Sequence, residues 1–135
     1  MMSTELSWLS ATVALFLVYI LGEVVTANRQ YGLKDLLGPR DGLAPPGAST
    51  ARAKRATANM IEAMCLFVPL VLIVEVAGRA NEWTALGCAI FFSARLVFAP
   101  LYWFGVPVLR SLAYGVGAAG LVMIFLQVLP FSGVN

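Results

Sequence analysis

Four long runs of apolar residues follow one another along the chain, separated by two short polar breaks and one long polar linker. The runs cover residues 7–27, 57–77, 83–104 and 108–129. A helix of about 20 apolar residues crosses a hydrocarbon core of about 30 Å, so each run predicts a membrane-spanning helix. Trp8, Tyr31, Trp83, Tyr102 and Trp103 fall at the ends of the runs, where aromatic side chains settle at headgroup level. Pro69 lies inside the second run and, lacking a backbone donor, predicts a kink there. Pro107 stands just before the fourth run, a position that a helix start accepts well. The predicted fold is an all-α, integral membrane four-helix bundle forming one domain. Glu5 rather than a basic segment precedes the first run, and no small-residue cleavage site follows it. That run therefore reads as a membrane helix and not as a secretory signal.

The linker covers residues 28–51. Gly32, Gly38, Pro39, Gly42, Pro45, Pro46 and Gly47 interrupt it, and Arg29, Lys34, Arg40, Arg52, Lys54 and Arg55 lie in it or at its edge. Arg110, next to the Gly105–Val106–Pro107 turn, belongs to the same side, whereas the opposite side offers Arg79. Basic residues gather on the cytoplasmic side of a membrane, so the linker is expected in the cytoplasm with both termini outside. In the fourth run Gly115 and Ala119 make a small-xxx-small pair, which packs helix backbones closely, either within a bundle or between subunits.

Where the linker meets the second run, Arg52, Arg55, Asn59 and Glu62 recur at helical spacing. At roughly 100° per residue they share an arc of about 80°, making one polar stripe that enters the membrane. Such groups are costly at membrane depth unless they meet partners or an anionic ligand. Glu23, Glu62, Glu75 and Arg95 are the ionisable groups within the runs. Glu75, near the end of its helix, is expected to reach the interface. Arg95 lies midway along the third run and needs a partner, and Glu62 matches it by depth. Such a pair is either a structural tie between the second and third helices or part of a ligand site, and the two readings are compatible.

Composition narrows the chemistry. The 135 residues are 60% hydrophobic and 12% charged, with a mean hydropathy of +0.85, whereas ordinary soluble domains are roughly 25% charged. A net charge of +2 is too small to suggest a nucleic-acid partner. The absence of histidine removes the commonest general base and metal ligand, and no metal site is expected. Cys65 and Cys88 both lie in apolar runs and read as small hydrophobes rather than as a disulfide.

Further polar groups collect on the linker side: Arg29, Tyr102, Arg110, Ser111 and Tyr114. Arg110 and Tyr114 are four residues apart and share a helix face. With Arg52 and Arg55 they describe a cationic cleft suited to a small anion bearing more than one carboxylate, gripped by bidentate guanidinium contacts. Taken singly, each arginine could instead snorkel to lipid phosphates; the one-face spacing argues against that. The chain offers no good nucleophile–base pair of its own, so in an enzyme the nucleophile would arrive with the ligand. A thiol fits, because a guanidinium and a serine hydroxyl stabilise a thiolate.

The run Arg55-Ala-Thr-Ala-Asn59-Met-Ile-Glu62, followed by an apolar stretch with Phe67 and Pro69, resembles the second-helix signature of the MAPEG family, membrane-associated proteins of eicosanoid and glutathione metabolism. Ala94-Arg95, Tyr102, Gly105-Val-Pro107, Leu109-Arg110-Ser111 and Tyr114 are similar to its third and fourth helices, and Arg29 and Gly32 to the end of its first. The resemblance implies a left-handed four-helix bundle assembled as a homotrimer, with sites between neighbouring subunits and glutathione as cosubstrate at the cytoplasmic side. It implies that Arg55, Asn59, Glu62, Tyr102 and Tyr114 hold the tripeptide, with Arg29 and Arg52 at the rim. Arg110 would stabilise the thiolate with Ser111 beside it, and Arg95 would match a buried helix-three arginine. Phe98 departs from the family pattern, standing where several glutathione-using members carry a tyrosine or histidine. The spacing from Tyr102 to Arg110 also differs by one residue from some eukaryotic members. The linker sequence Gly38-Pro-Arg-Asp41-Gly looks like bacterial members, which implies a bacterial inner membrane.

Three functions follow as expectations. The first is a glutathione-binding membrane transferase or peroxidase acting on a hydrophobic small molecule that arrives through the lipid. The second is a non-catalytic lipid-binding scaffold or an accessory subunit of a membrane complex, which Phe98 favours. The third is a small drug transporter, suggested by Glu23 in the first helix and opposed by the long basic linker.

Overall fold

The structure, a computed structural model, describes residues 1–130. It is all-helical: α1 (Thr4–Tyr31), α2 (Leu33–Leu37), α3 (Ala48–Val76), α4 (Glu82–Trp103) and α5 (Pro107–Val128), with a 3-10 turn at Arg40–Gly42. Helices α1, α3, α4 and α5 are each long and apolar enough to cross a membrane. Their outward faces carry exposed Leu17, Val18, Leu21, Leu96, Val97, Val122 and Phe125. These faces are suited to lipid and poorly suited to water.

On the linker side α1 and α3 run past their apolar stretches. Residues 48–56 contain four alanines, two arginines and a lysine, all strong helix formers, so α3 extends back until Pro46 and Gly47 stop it. Gln30 near the end of α1 accepts from the Gly47 N–H at 2.9 Å and donates to the Pro45 carbonyl at 3.1 Å. Tyr31 donates to the Ala44 carbonyl at 2.8 Å. The ordered remainder of the linker is thus strapped to the end of α1. Pro69 lies within α3, which continues on both sides of it.

Between membrane helices there is no hydrophobic driving force, so close packing and hydrogen bonds hold the bundle. Helices α4 and α5 make the tightest contact. A Cβ added at Gly120 would lie 2.7 Å from the Gly87 carbonyl oxygen and 3.0 Å from the Phe91 nitrogen, so the two backbones touch. Gly115, by contrast, has no neighbour within 4 Å of such an atom, and Ala119 is exposed. The small pair read from the sequence therefore faces out of the bundle, and the inner contact belongs to Gly87, Gly117 and Gly120. Phe67 and Phe91 stack at 4.2 Å in the core beside buried Tyr19, Met60 and Ile124.

Hydrogen bonds lace the end opposite the linker. Glu5 is 4% exposed and accepts from Thr84 Oγ1 at 2.6 Å. Glu75, in the last turn of α3, is half-buried and accepts from the hydroxyl of Ser3, the N-cap of α1. A carboxylate packed away from water is costly without donors, and the N-cap of α1 supplies one. Asn81 caps α4 by accepting from the Trp83 and Thr84 N–H groups, and Arg79 donates to the Gln127 and Leu129 carbonyls at the end of α5.

Candidate functional site

Helices α3 and α4 run antiparallel, and the polar stripe of α3 faces α4 as a seam. Arg52 Nε donates to the Trp103 carbonyl at 3.0 Å, Arg55 Nε donates to the Tyr102 hydroxyl at 3.2 Å, and Asn59 Oδ1 accepts from Arg95 Nη1 at 2.5 Å. The register explains a correction. Measured from the Arg52–Trp103 contact, Arg95 lies eight residues along α4, Asn59 seven along α3 and Glu62 ten. Asn59 is therefore level with Arg95, and it, not Glu62, is the partner.

Arg95 is 3% exposed. Its Cζ lies 5.6, 5.1 and 5.5 Å from the ring centroids of Phe91, Phe98 and Tyr114, and its Nε has no hydrogen-bond partner. Desolvated cation–π contacts are worth about 2 kcal/mol, so an aromatic cage does much of what a carboxylate would do. Phe98, the departure from the family pattern, is one wall of that cage. The backbone around Arg95 is held by Tyr19, whose hydroxyl donates to the Arg95 carbonyl at 2.6 Å. Thr57 in turn donates to the Tyr19 carbonyl at 3.2 Å. Neither Tyr19 nor Thr57 stood out in the sequence, where the only signal was a polar-tipped side chain amid apolar neighbours.

The turn after α4 brings in α5. Gly105 has φ +72, a left-handed conformation natural to glycine, and Pro107 starts α5. The last turn of α4 thus meets the first turns of α5. Arg110 Cζ lies 4.5 Å from the Tyr102 ring centroid. The N–H groups of Val108 and Leu109 in the first turn of α5, which starts at Pro107 and so lacks an N–H there, add positive potential close by. Ser111 spends its proton within the helix, donating to the Pro107 carbonyl at 3.0 Å.

These side chains line a groove of three neighbouring cavities formed by α3, α4 and α5, successive cavities sharing lining residues. The first, of about 180 Å³, is bounded by Asn59, Phe98, Tyr102, Arg110, Ser111 and Tyr114. The second, of about 170 Å³, shares Asn59 and Tyr114 with it and adds Glu62 and Arg95. The third, of about 340 Å³, shares Leu66 and Leu121 with the second and is otherwise lined by apolar side chains and Cys65. Polarity therefore falls along the groove from guanidinium to hydrocarbon. Seven of the ten residues singled out in the sequence meet here: Asn59, Glu62, Arg95, Tyr102, Arg110, Ser111 and Tyr114. Arg55 joins them through the Tyr102 hydroxyl. Arg52 is committed to the end of α4, and Arg29 borders a separate cavity of about 490 Å³ with Thr26, Gln30 and Ser49. Chemically, the groove can hold a small polar anion at one end beside an apolar molecule at the other. Among the described residues no cluster of three or more cysteine or carboxylate groups could hold a metal ion.

A family model described as MAPEG family matches residues 7–130. No curated protein and no solved structure matches the chain.

Proposed function

The chain belongs to the MAPEG family, and from that premise we propose that it binds glutathione in the polar cavities and turns its thiolate on a lipophilic electrophile in the adjoining apolar one. The observation that carries this reading is the convergence of Arg110, Tyr102, Asn59 and Tyr114 on one cavity, with a second polar cavity between it and an apolar one. The Arg110 guanidinium stabilises the thiolate and so lowers the cost of losing the thiol proton to water. The sulfur then forms a bond to the electrophilic carbon, and the leaving group departs as an anion or an opened ring oxygen takes a proton from water. Peroxidase chemistry starts from the same thiolate. Arg95 and Asn59 add further anchoring for the acidic peptide. In this reading the functional unit is a homotrimer in a bacterial inner membrane, with the 28–51 linker in the cytoplasm and both termini outside. Glutathione reaches the site from the cytoplasm, and the electrophile from the lipid.

Ultraviolet titration of glutathione into detergent-solubilised protein tests the reading. A thiolate absorbance that saturates in the wild type and is lost in Arg110→Ala is expected, together with turnover of a chlorodinitrobenzene. No saturable binding contradicts it.

Phe98 favours a second reading, a non-catalytic lipid-binding scaffold. It is 2% exposed and apolar where several glutathione-using members carry a tyrosine or histidine, and the groove beyond it suits an acyl chain. Retention of lipid with no glutathione binding would select that alternative.

A further inference from the structure

Tyr102, in the last turn of α4, is held by cations from two other helices. Arg110 of α5 stacks on its ring at 4.5 Å, and Arg55 of α3 donates to its hydroxyl at 3.2 Å. The two arginines differ in surroundings. Arg110 is half-buried and lines the first cavity, whereas Arg55 is exposed and does not. The Phe98 ring, 5.3 Å from that of Tyr102, supports it from the preceding turn. A guanidinium on a flexible stem near a membrane surface snorkels toward headgroups unless something keeps it back. An aromatic face, with its negative quadrupole, can do that.

We propose that Tyr102 is a positioning residue: its ring face holds Arg110 over the cavity, and Arg55 steadies the ring by its hydroxyl. The ring and not the hydroxyl then governs thiolate formation, in contrast to a role in gripping the tripeptide. This inference rests on the glutathione reading for its consequence and on geometry alone for the platform itself.

The experiment therefore has two arms, run on wild type, Tyr102→Phe and Tyr102→Leu in detergent. The first follows the side-chain Nε–Hε resonance of Arg110 in ¹⁵N-arginine-labelled protein, assigned with Arg110→Lys. It lies upfield under the ring current in wild type and Tyr102→Phe, and moves downfield in Tyr102→Leu. The Arg79 resonance, at the far end of the bundle, stays in place if the fold is intact. The second arm measures thiolate absorbance of calorimetrically bound glutathione. It falls about tenfold in Tyr102→Leu and is restored by Tyr102→Phe to within about twofold of wild type. Equal losses in both variants, no loss in Tyr102→Leu, or an Arg110 resonance indifferent to Tyr102→Leu each overturn the proposal. Absence of glutathione binding in wild type overturns the functional reading, and the platform is then decided by the resonance arm.

Discussion

Arg95 on α4 donates to Asn59 on α3 across 2.5 Å, inside an aromatic cage. A guanidinium only donates, so the carbonyl of the amide must face it and the NH₂ group is left for the cavity. A ligand atom that met this NH₂ group at the junction of the two polar cavities would therefore be an acceptor. Asn59→Asp keeps the fold, because Arg95 gains a carboxylate, yet it removes that donor and adds repulsion. Glutathione affinity is expected to fall about tenfold or more, since one such bond is worth about 1.5–3 kcal/mol; isothermal calorimetry reads it.

The same pair makes a stability prediction. Asn59→Leu leaves a buried cation without its hydrogen bond and should cost about 2–3 kcal/mol. Arg95→Met combined with Asn59→Leu removes both polar groups and should be less destabilised than the sum of the single variants. Thermal unfolding in detergent, run as a double-mutant cycle, checks this.

The α4–α5 contact predicts a contrast between two glycines of one helix. Gly120→Ala drives a methyl into the Gly87 carbonyl and Phe91 backbone, neither of which can rotate away, and should cost about 1–3 kcal/mol. Gly115→Ala meets nothing within 4 Å and, by removing a glycine from a helix interior, should leave the isolated chain as stable or more stable by up to about 1 kcal/mol.

Much of this arrangement was legible in the chain. Four apolar runs specified the bundle because each is as long as the membrane is thick. The spacing of Arg52, Arg55, Asn59 and Glu62 marked one polar face because helical period alone puts them together. Which partner each one takes was not legible. Depth counted within separate runs carries an uncertainty of a turn, enough to exchange Asn59 for Glu62 opposite Arg95. Glu5 read as a flank because its partner, Thr84, is far away in sequence, and nothing in the local pattern announces that contact. Ser111 looked like a donor to a thiolate, but a helical serine has a carbonyl four residues back, and here Pro107 takes its proton.

That last point separates Ser111 from Arg110. Ser111→Ala should change the thiolate absorbance of bound glutathione by less than about twofold, whereas Arg110→Ala should abolish it. An equal loss in both variants would return the serine hydroxyl to the centre of the chemistry.

The two cysteines report on the apolar end of the groove. Cys65 is exposed on its wall, and Cys88 is buried in the core. A lipophilic maleimide should label Cys65 and spare Cys88 by mass spectrometry of peptides. A non-reactive lipophilic ligand should slow that labelling if it occupies the groove.

The most direct test of the central claim is the structure of the protein determined in lipid nanodiscs with glutathione present. The account predicts density for a tripeptide between Asn59, Tyr102 and Arg110, with its sulfur toward Arg110 and the apolar end of the groove open to lipid. An acyl chain running the whole length of the groove, with no peptide beside Arg110 at saturating glutathione, would contradict it.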